Sequence, residues 1–191
     1  MVIGYHGCDE QVAHDILLGK KTLESSKNKY DWLGAGIYFW EHGPQRSLEW
    51  ATQRSKTAAA IKKPSVVGAY IQLGNCFDLL DTRYTKILGD AYPKFADTLT
   101  RKGVPIPKNV PAADTSLDHI LRFLDCAMVN WCLDELQKGG IEFHTVRCVF
   151  MEGEAVFPGS KIMRKSHIQI AVRDPNCILG YFRPTLTLQQ T

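Results

Sequence analysis

Three short stretches of this chain carry side chains able to hold a ligand. Tyr5-His6-Gly7-Cys8 sets an imidazole beside a bare glycine backbone. Gly34-Ala35-Gly36-Ile37-Tyr38-Phe39 is a glycine turn running into aromatics, and Ser47 and Trp50 follow it. Ser166-His167-Ile168-Gln169-Ile170-Ala171-Val172-Arg173 places an amide in an apolar run. Imidazole, hydroxyl and amide groups donate and accept hydrogen bonds. Tyr and Trp offer flat faces for a cationic ring, a contact of ~0.5–2 kcal/mol. Taken singly, each stretch has a plain structural reading: a His at a strand end, a Tyr in a core, a Gln facing solvent. The G-x-G is not a dinucleotide fingerprint, because the third Gly and the helix of that motif are missing.

No metal chemistry is expected. The six cysteines (Cys8, Cys76, Cys126, Cys132, Cys148, Cys177) form no C-x-x-C pair, and the six histidines form no H-E-x-x-H. The thiols read as small buried hydrophobes in a reducing cytosol. A net charge of +3 from 23 basic and 20 acidic residues neither announces nor excludes a nucleic-acid partner. No apolar run approaches the ~20 residues of a membrane span, and the N-terminus does not read as a signal peptide.

The elements that must position these groups follow from the pattern. The length of 191 residues predicts one domain, 1–191. Val2 to Tyr5 reads as a strand, and Asp9 caps a helix carrying Val12, Ala13, Ile16 and Leu17. Residues 20–31 read as a mobile loop. Gly43-Pro44 opens a helix that carries Leu48, Ala51 and Ala58 to Ile61, closed by Lys62-Lys63-Pro64. Val66 to Leu73 and Cys76 to Leu80 read as strands. Residues 82–140 are helical in two parts, separated by a proline-rich stretch. The second part runs from Leu117 through Trp131 to Leu136, capped by Thr115 or Ser116 and ended by Gly139-Gly140. His144–Met151, Ser166–Arg173 and Cys177–Phe182 return to strands. The fold class is α+β.

In this order the three stretches resemble the diphtheria-toxin-like, H-Y-E branch of ADP-ribosyltransferases, which includes the poly(ADP-ribose) polymerases. His6-Gly7-Cys8 is similar to its His-Gly-Ser/Thr, Gly34 to Phe39 to its Gly-x-Gly-Ile-Tyr-Phe, and Ser47 and Trp50 to the Ser and aromatic that follow. Ile168 to Asp174 resembles its late strand, with Gln169 where that branch has a catalytic Glu. The likeness covers residues 1–75 and 145–185, and 82–140 has no counterpart. It implies an ADP-ribosyltransferase-like split β-sandwich with a helical insertion, and transfer of ADP-ribose from NAD⁺ with loss of nicotinamide. By the resemblance, the catalytic set is His6, Tyr38 and Gln169. The Gly7 backbone and the Ser47 hydroxyl hold the carboxamide, Tyr38 and Trp50 wall the nicotinamide, and His6 holds the adenosine ribose. The loop 20–31 covers the adenine side.

A Gln keeps the acceptor of the missing Glu and loses its charge. Three explanations remain open: the Gln is natural and suffices for transfer of a single ADP-ribose, Glu152 or Glu154 supplies the carboxylate, or a deliberate Glu→Gln change silences a toxic enzyme. Glu152 and Glu154 themselves read as solvated loop acids. His167 shares a strand face with Gln169. Lys161, Arg164 and Lys165 form a basic turn that, with Arg173 and Arg183, suits phosphates. The expectation is a cytoplasmic mono-ADP-ribosyltransferase acting on a macromolecular acceptor, RNA, DNA or protein. It looks like an intracellular toxin or phage-defence effector with a neutralising antitoxin partner. The rival is a non-catalytic module that binds NAD⁺ or ADP-ribose.

Overall fold

Alternation of side chains along a strand sends neighbours to opposite faces of a sheet, and in this chain the two faces are built for different work. The computed structural model describes residues 1–57, 60–111 and 118–186. Its central sheet holds β1 (Val2–Asp9), β2 (Ile37–Glu41), β3 (Pro64–Ile71), β4 (Cys76–Asp78), β7 (Thr145–Phe150), β8 (His167–Val172) and β9 (Ile178–Phe182). The spatial order is β4-β7-β8-β2-β1-β3-β9, and all neighbours are antiparallel except β4 and β7. A two-stranded hairpin joins β5 (Asn109–Val110) to β6 (Leu121–Arg122). The α+β class holds. Among the described residues no helix is long and apolar enough to cross a membrane.

One face carries Ile37, Phe39, Val67, Ala69, Ile71, Ile170 and Val172, packed against Ala13 and Ile16 of helix α1 (Glu10–Leu17). The other carries Val146 and Ala171, packed against Phe95 of α3 (Thr82–Arg101) and Met128, Val129 and Leu133 of α4 (Phe123–Lys138). Helices α3 and α4 therefore close the core over this part of the sheet. Helix α2 (Pro44–Ser55) lies on this second face, over β1 and β3.

The β1–β2 seam is the weak line of the sheet. It has only two register pairs, Gly4 with Glu41 and Tyr5 with Trp40, whereas β1 and β3 pair from Val2–Ile71 to Asp9–Pro64. Past Tyr5 the ladder is replaced by a side chain: His6 Nδ1 lies 2.8 Å from the Tyr38 carbonyl. A carbonyl only accepts, so Nδ1 carries the proton and donates.

Two helix limits differ from the sequence reading. Helix α2 stops at Ser55, short of Ile61, because the Asp9 carboxylate captures the Lys62 and Lys63 amides at 2.8 and 2.9 Å. That pulls the chain into β3, which Pro64 begins. Ala58 lies outside the described residues. Helix α4 starts at Phe123, and Leu121–Arg122 is a strand. Its cap is remote: Asn109 Oδ1 accepts from Leu124 N at 2.9 Å and Asp125 N at 3.2 Å. The expected caps Thr115 and Ser116, and Leu117, lie outside the described residues. The stretch 20–31 is tethered rather than loose. Ser26 exchanges backbone bonds with Gly36 at 2.8 and 3.1 Å, and Leu23 is buried in the α1 core.

Candidate functional site

Strand alternation places Gly7 on the second face, opposite in direction to His6 and Cys8. A side chain on Gly7 would collide with the Ser47 carbonyl oxygen and stand 3.2 Å from Ala51 Cβ. Only glycine lets α2 rest directly on β1 there. Gly7→Ala is expected to lower unfolding free energy by about 1–3 kcal/mol, read by urea denaturation; wild-type stability would mean that α2 is free to slide outward.

Four more of the expected residues, Tyr38, Ser47, Trp50 and Gln169, lie on this side of the sheet. Tyr38 on β2 is adjacent to Ala171 of β8, and Gln169 sits directly across from Trp40. Ser47 is fully buried, and its hydroxyl has no partner among the described residues. Trp40 Nε1 and Arg46 Nε are orphaned in the same way. Unmet buried donors are costly, and these three lie on β2 and in the first turn of α2. Trp50 turns back from α2 to within 5.6 Å of the Trp40 ring centroid. The Tyr38 hydroxyl is not spare: it donates to Gly34 O at 2.6 Å and accepts from Leu33 N at 2.8 Å. Burial pushes its pKa far up, so it stays a neutral phenol whose ring is locked in place. Gly34, at φ +76°, makes the turn that both bonds require.

His6 is placed differently. Its ring packs 5.8 Å from Phe39 on the α1 face, and reaches the site only through its bond to the Tyr38 backbone. Burial lowers its pKa against the opposing effect of that bond. Cys8 packs in the α1 core, and burial and neighbouring Asp9 push its thiol up to about 11. It is therefore no nucleophile at neutral pH.

Glu152 is not a solvated loop acid. It is buried, and its carboxylate accepts from Arg46 at 2.8 Å and lies 3.9 Å from His167 Nδ1. Glu154 is exposed. His167 is buried beside the paired rings of Trp32 and Phe150, each with its centroid 5.9 Å away. Its Nε2 lies 3.1 Å from the Gln169 amide nitrogen. A cavity of about 190 Å³ next to these rings is lined by Trp32, Arg122, Cys148 and Phe150. The Arg122 guanidinium stacks 4.1 Å from Trp32 and 4.8 Å from Phe150. The basic residues do not converge. Lys161, Arg164 and Lys165 precede β8, whereas Arg173 follows it and bonds Asn130 at 3.5 Å.

Trp40 and Arg46 were missed as site residues. Trp40 was readable, since it lies two residues beyond Tyr38 on one strand. Arg46 and Trp32 were not, because their partners are remote in sequence. Among the described residues no group of three or more His, Cys, Asp or Glu side chains is placed to hold a metal ion.

The half-buried His6 and the buried His167 predict a pH dependence of stability. Burial lowers the pKa of both His6 and His167. As pH falls through about 6.5, the unfolded chain takes up protons that the folded chain refuses. Stability is therefore full above that pH and declines toward the lowered folded values. Melting temperature should fall between pH 7 and pH 5, and a flat or rising profile would contradict the burial of these rings.

No family model, curated protein or solved structure matches the chain.

Proposed function

We propose that this protein is a mono-ADP-ribosyltransferase that uses NAD⁺ to modify a macromolecule, with the ADP-ribosyltransferase-like split sheet opening at the β1–β2 seam. One observation carries the reading. Gly7, Tyr38, Ser47, Trp50 and Gln169 come from three distant segments and lie on one side of the sheet, where the buried Ser47 hydroxyl has no partner among the described residues. That orphan hydroxyl and the polar atoms beside it fit a carboxamide. Tyr38 and Trp50 offer aromatic faces for a pyridinium ring. Gln169 offers an acceptor for a ribose hydroxyl, and its neutrality favours a slow, single transfer over chain growth. His6 serves by bracing Tyr38 through its carbonyl.

The exposed Lys161, Arg164 and Lys165 precede the strand that bears Gln169, which suits a nucleic-acid acceptor, RNA or DNA, over a protein. A small transferase of this kind fits an intracellular toxin or phage-defence effector held in check by an antitoxin. The test is incubation with adenine-labelled NAD⁺ and separated pools of RNA, DNA and protein. Label is expected in one macromolecular pool; label in none, with NAD⁺ intact, would overturn the reading.

A second reading rests on the same Gln169. Without a carboxylate, the site can bind NAD⁺ or ADP-ribose and do no chemistry. Calorimetric binding of NAD⁺ with no turnover would favour it.

A further inference from the structure

We propose that His167 is a positioning residue: in its neutral form it holds the Gln169 amide with the carbonyl oxygen toward the site, and on protonation it turns that amide round. The inference rests on the reading of Gln169 as the acceptor for a ribose hydroxyl.

His167 Nδ1 lies 2.6 Å from the Lys165 carbonyl oxygen. That oxygen can only accept, so Nδ1 must carry a hydrogen. A neutral imidazole has one N–H, which leaves Nε2 as a bare acceptor. Nε2 faces the Gln169 side-chain nitrogen at 3.1 Å, so the NH₂ end of the amide donates to the ring. The Oε1 end then points away from His167. A chain that begins at a backbone carbonyl thus decides which end of a symmetric-looking amide the site sees. A Gln with no such neighbour would present donor and acceptor alternately. This arrangement gives Gln169 the polarity of the carboxylate it replaces, without the charge.

The surroundings keep the ring neutral. Its side chain is 3% exposed. Arg46 of α2 and Arg122 of β6 oppose a positive charge on it, and Glu152 favours one. Glu152 is itself engaged with Arg46 at 2.8 Å. Trp32, Phe150 and Trp40 supply the apolar walls. Burial dominates and lowers the His167 pKa below its ordinary value. When the ring does take a proton, Nε2 becomes a donor facing a donor. The amide rotates, Oε1 turns to the ring, and NH₂ turns to the site, which loses its acceptor. Losing one such hydrogen bond should lower NAD⁺ cleavage by roughly tenfold or less.

The experiment has two readouts. The first is nitrogen NMR on the full chain without nucleotide. At pH 8, His167 should show a protonated Nδ1 and a bare Nε2, and the Gln169 NH₂ signal should shift at the same midpoint as the ring on acidification. A protonated Nε2 at pH 8, or a Gln169 signal indifferent to that midpoint, would overturn the proposal. The second is the pH profile of NAD⁺ cleavage in wild type and in His167→Gln, whose amide oxygen can accept from Gln169 and does not titrate. The variant should lose the acid limb set by His167, whatever its plateau; an unchanged limb would overturn the proposal. Both NMR signatures with no cleavage at any pH would sustain the amide arrangement and overturn the proposed transferase instead.

Discussion

Replacing Gln169 by Glu should raise the rate of NAD⁺ cleavage, by up to about a thousandfold. The reacting ribose gains positive charge as the glycosidic bond breaks, and a unit negative charge at ~4 Å is worth ~4 kcal/mol at an effective dielectric of 20. That corresponds to roughly three powers of ten in rate. The gain should itself depend on pH. Gln169 Nε2 lies 3.1 Å from His167 Nε2, so a carboxylate there would favour the imidazolium and raise the His167 pKa. While His167 is protonated, the pair is neutral and much of the electrostatic gain is lost. The single variant should therefore accelerate most above the raised His167 pKa. The double variant His167→Gln/Gln169→Glu should show the full gain at pH 7. Steady-state cleavage across pH 6–9 reads both. No gain in either variant at any pH would mean that the site was built around the amide, and the charge argument would fail.

Removing Glu152 should have the largest effect on stability. Its side chain is 11% exposed and that of its partner Arg46 is 14% exposed. Two charges so far from water hold each other in place, and deleting one leaves the other unpaired, at a cost of about 3–5 kcal/mol. Glu152→Ala should therefore unfold at distinctly lower urea concentration. The loss should be larger than that caused by Gly7→Ala. The double variant Arg46→Met/Glu152→Leu should recover most of it, since an apolar pair of similar volume needs no partner. Equal destabilisation in the single and double variants would show that packing, not charge, matters there. Wild-type stability of Glu152→Ala would show that the pair is solvated.

Much of this was legible in the sequence because it is periodic or local. The apolar steps at Val12, Ala13, Ile16 and Leu17 specify α1, and Asp9 caps it through Gln11 N. The alternation around Gln169 placed His167 on its face, and the 3.1 Å contact follows from it. What escaped depends on groups brought from far along the chain. Helix α2 ends early because Asp9, more than fifty residues earlier and paired with Pro64 where β3 begins, takes the amides of Lys62 and Lys63. Helix α4 begins late because its cap is Asn109 rather than a neighbouring hydroxyl. Glu152 lies in a Glu-Gly-Glu stretch that looks solvated, and only its meeting with Arg46 buries it. The direction of His6 was open to the same alternation as Gly7. A motif names neighbours, whereas a strand sends them to opposite faces.

The central claim is that Gly7, Tyr38, Ser47, Trp50 and Gln169 form one cleft that breaks the nicotinamide bond of NAD⁺. Its most direct test is release of free nicotinamide from NAD⁺ labelled in the nicotinamide ring, measured for wild type and for Ser47→Ala and Tyr38→Ala. The account predicts slow release by the wild type, sharply reduced in both variants although each remains folded. Release that is undetectable in the wild type and in Gln169→Glu, or equal in all the folded variants, would contradict it.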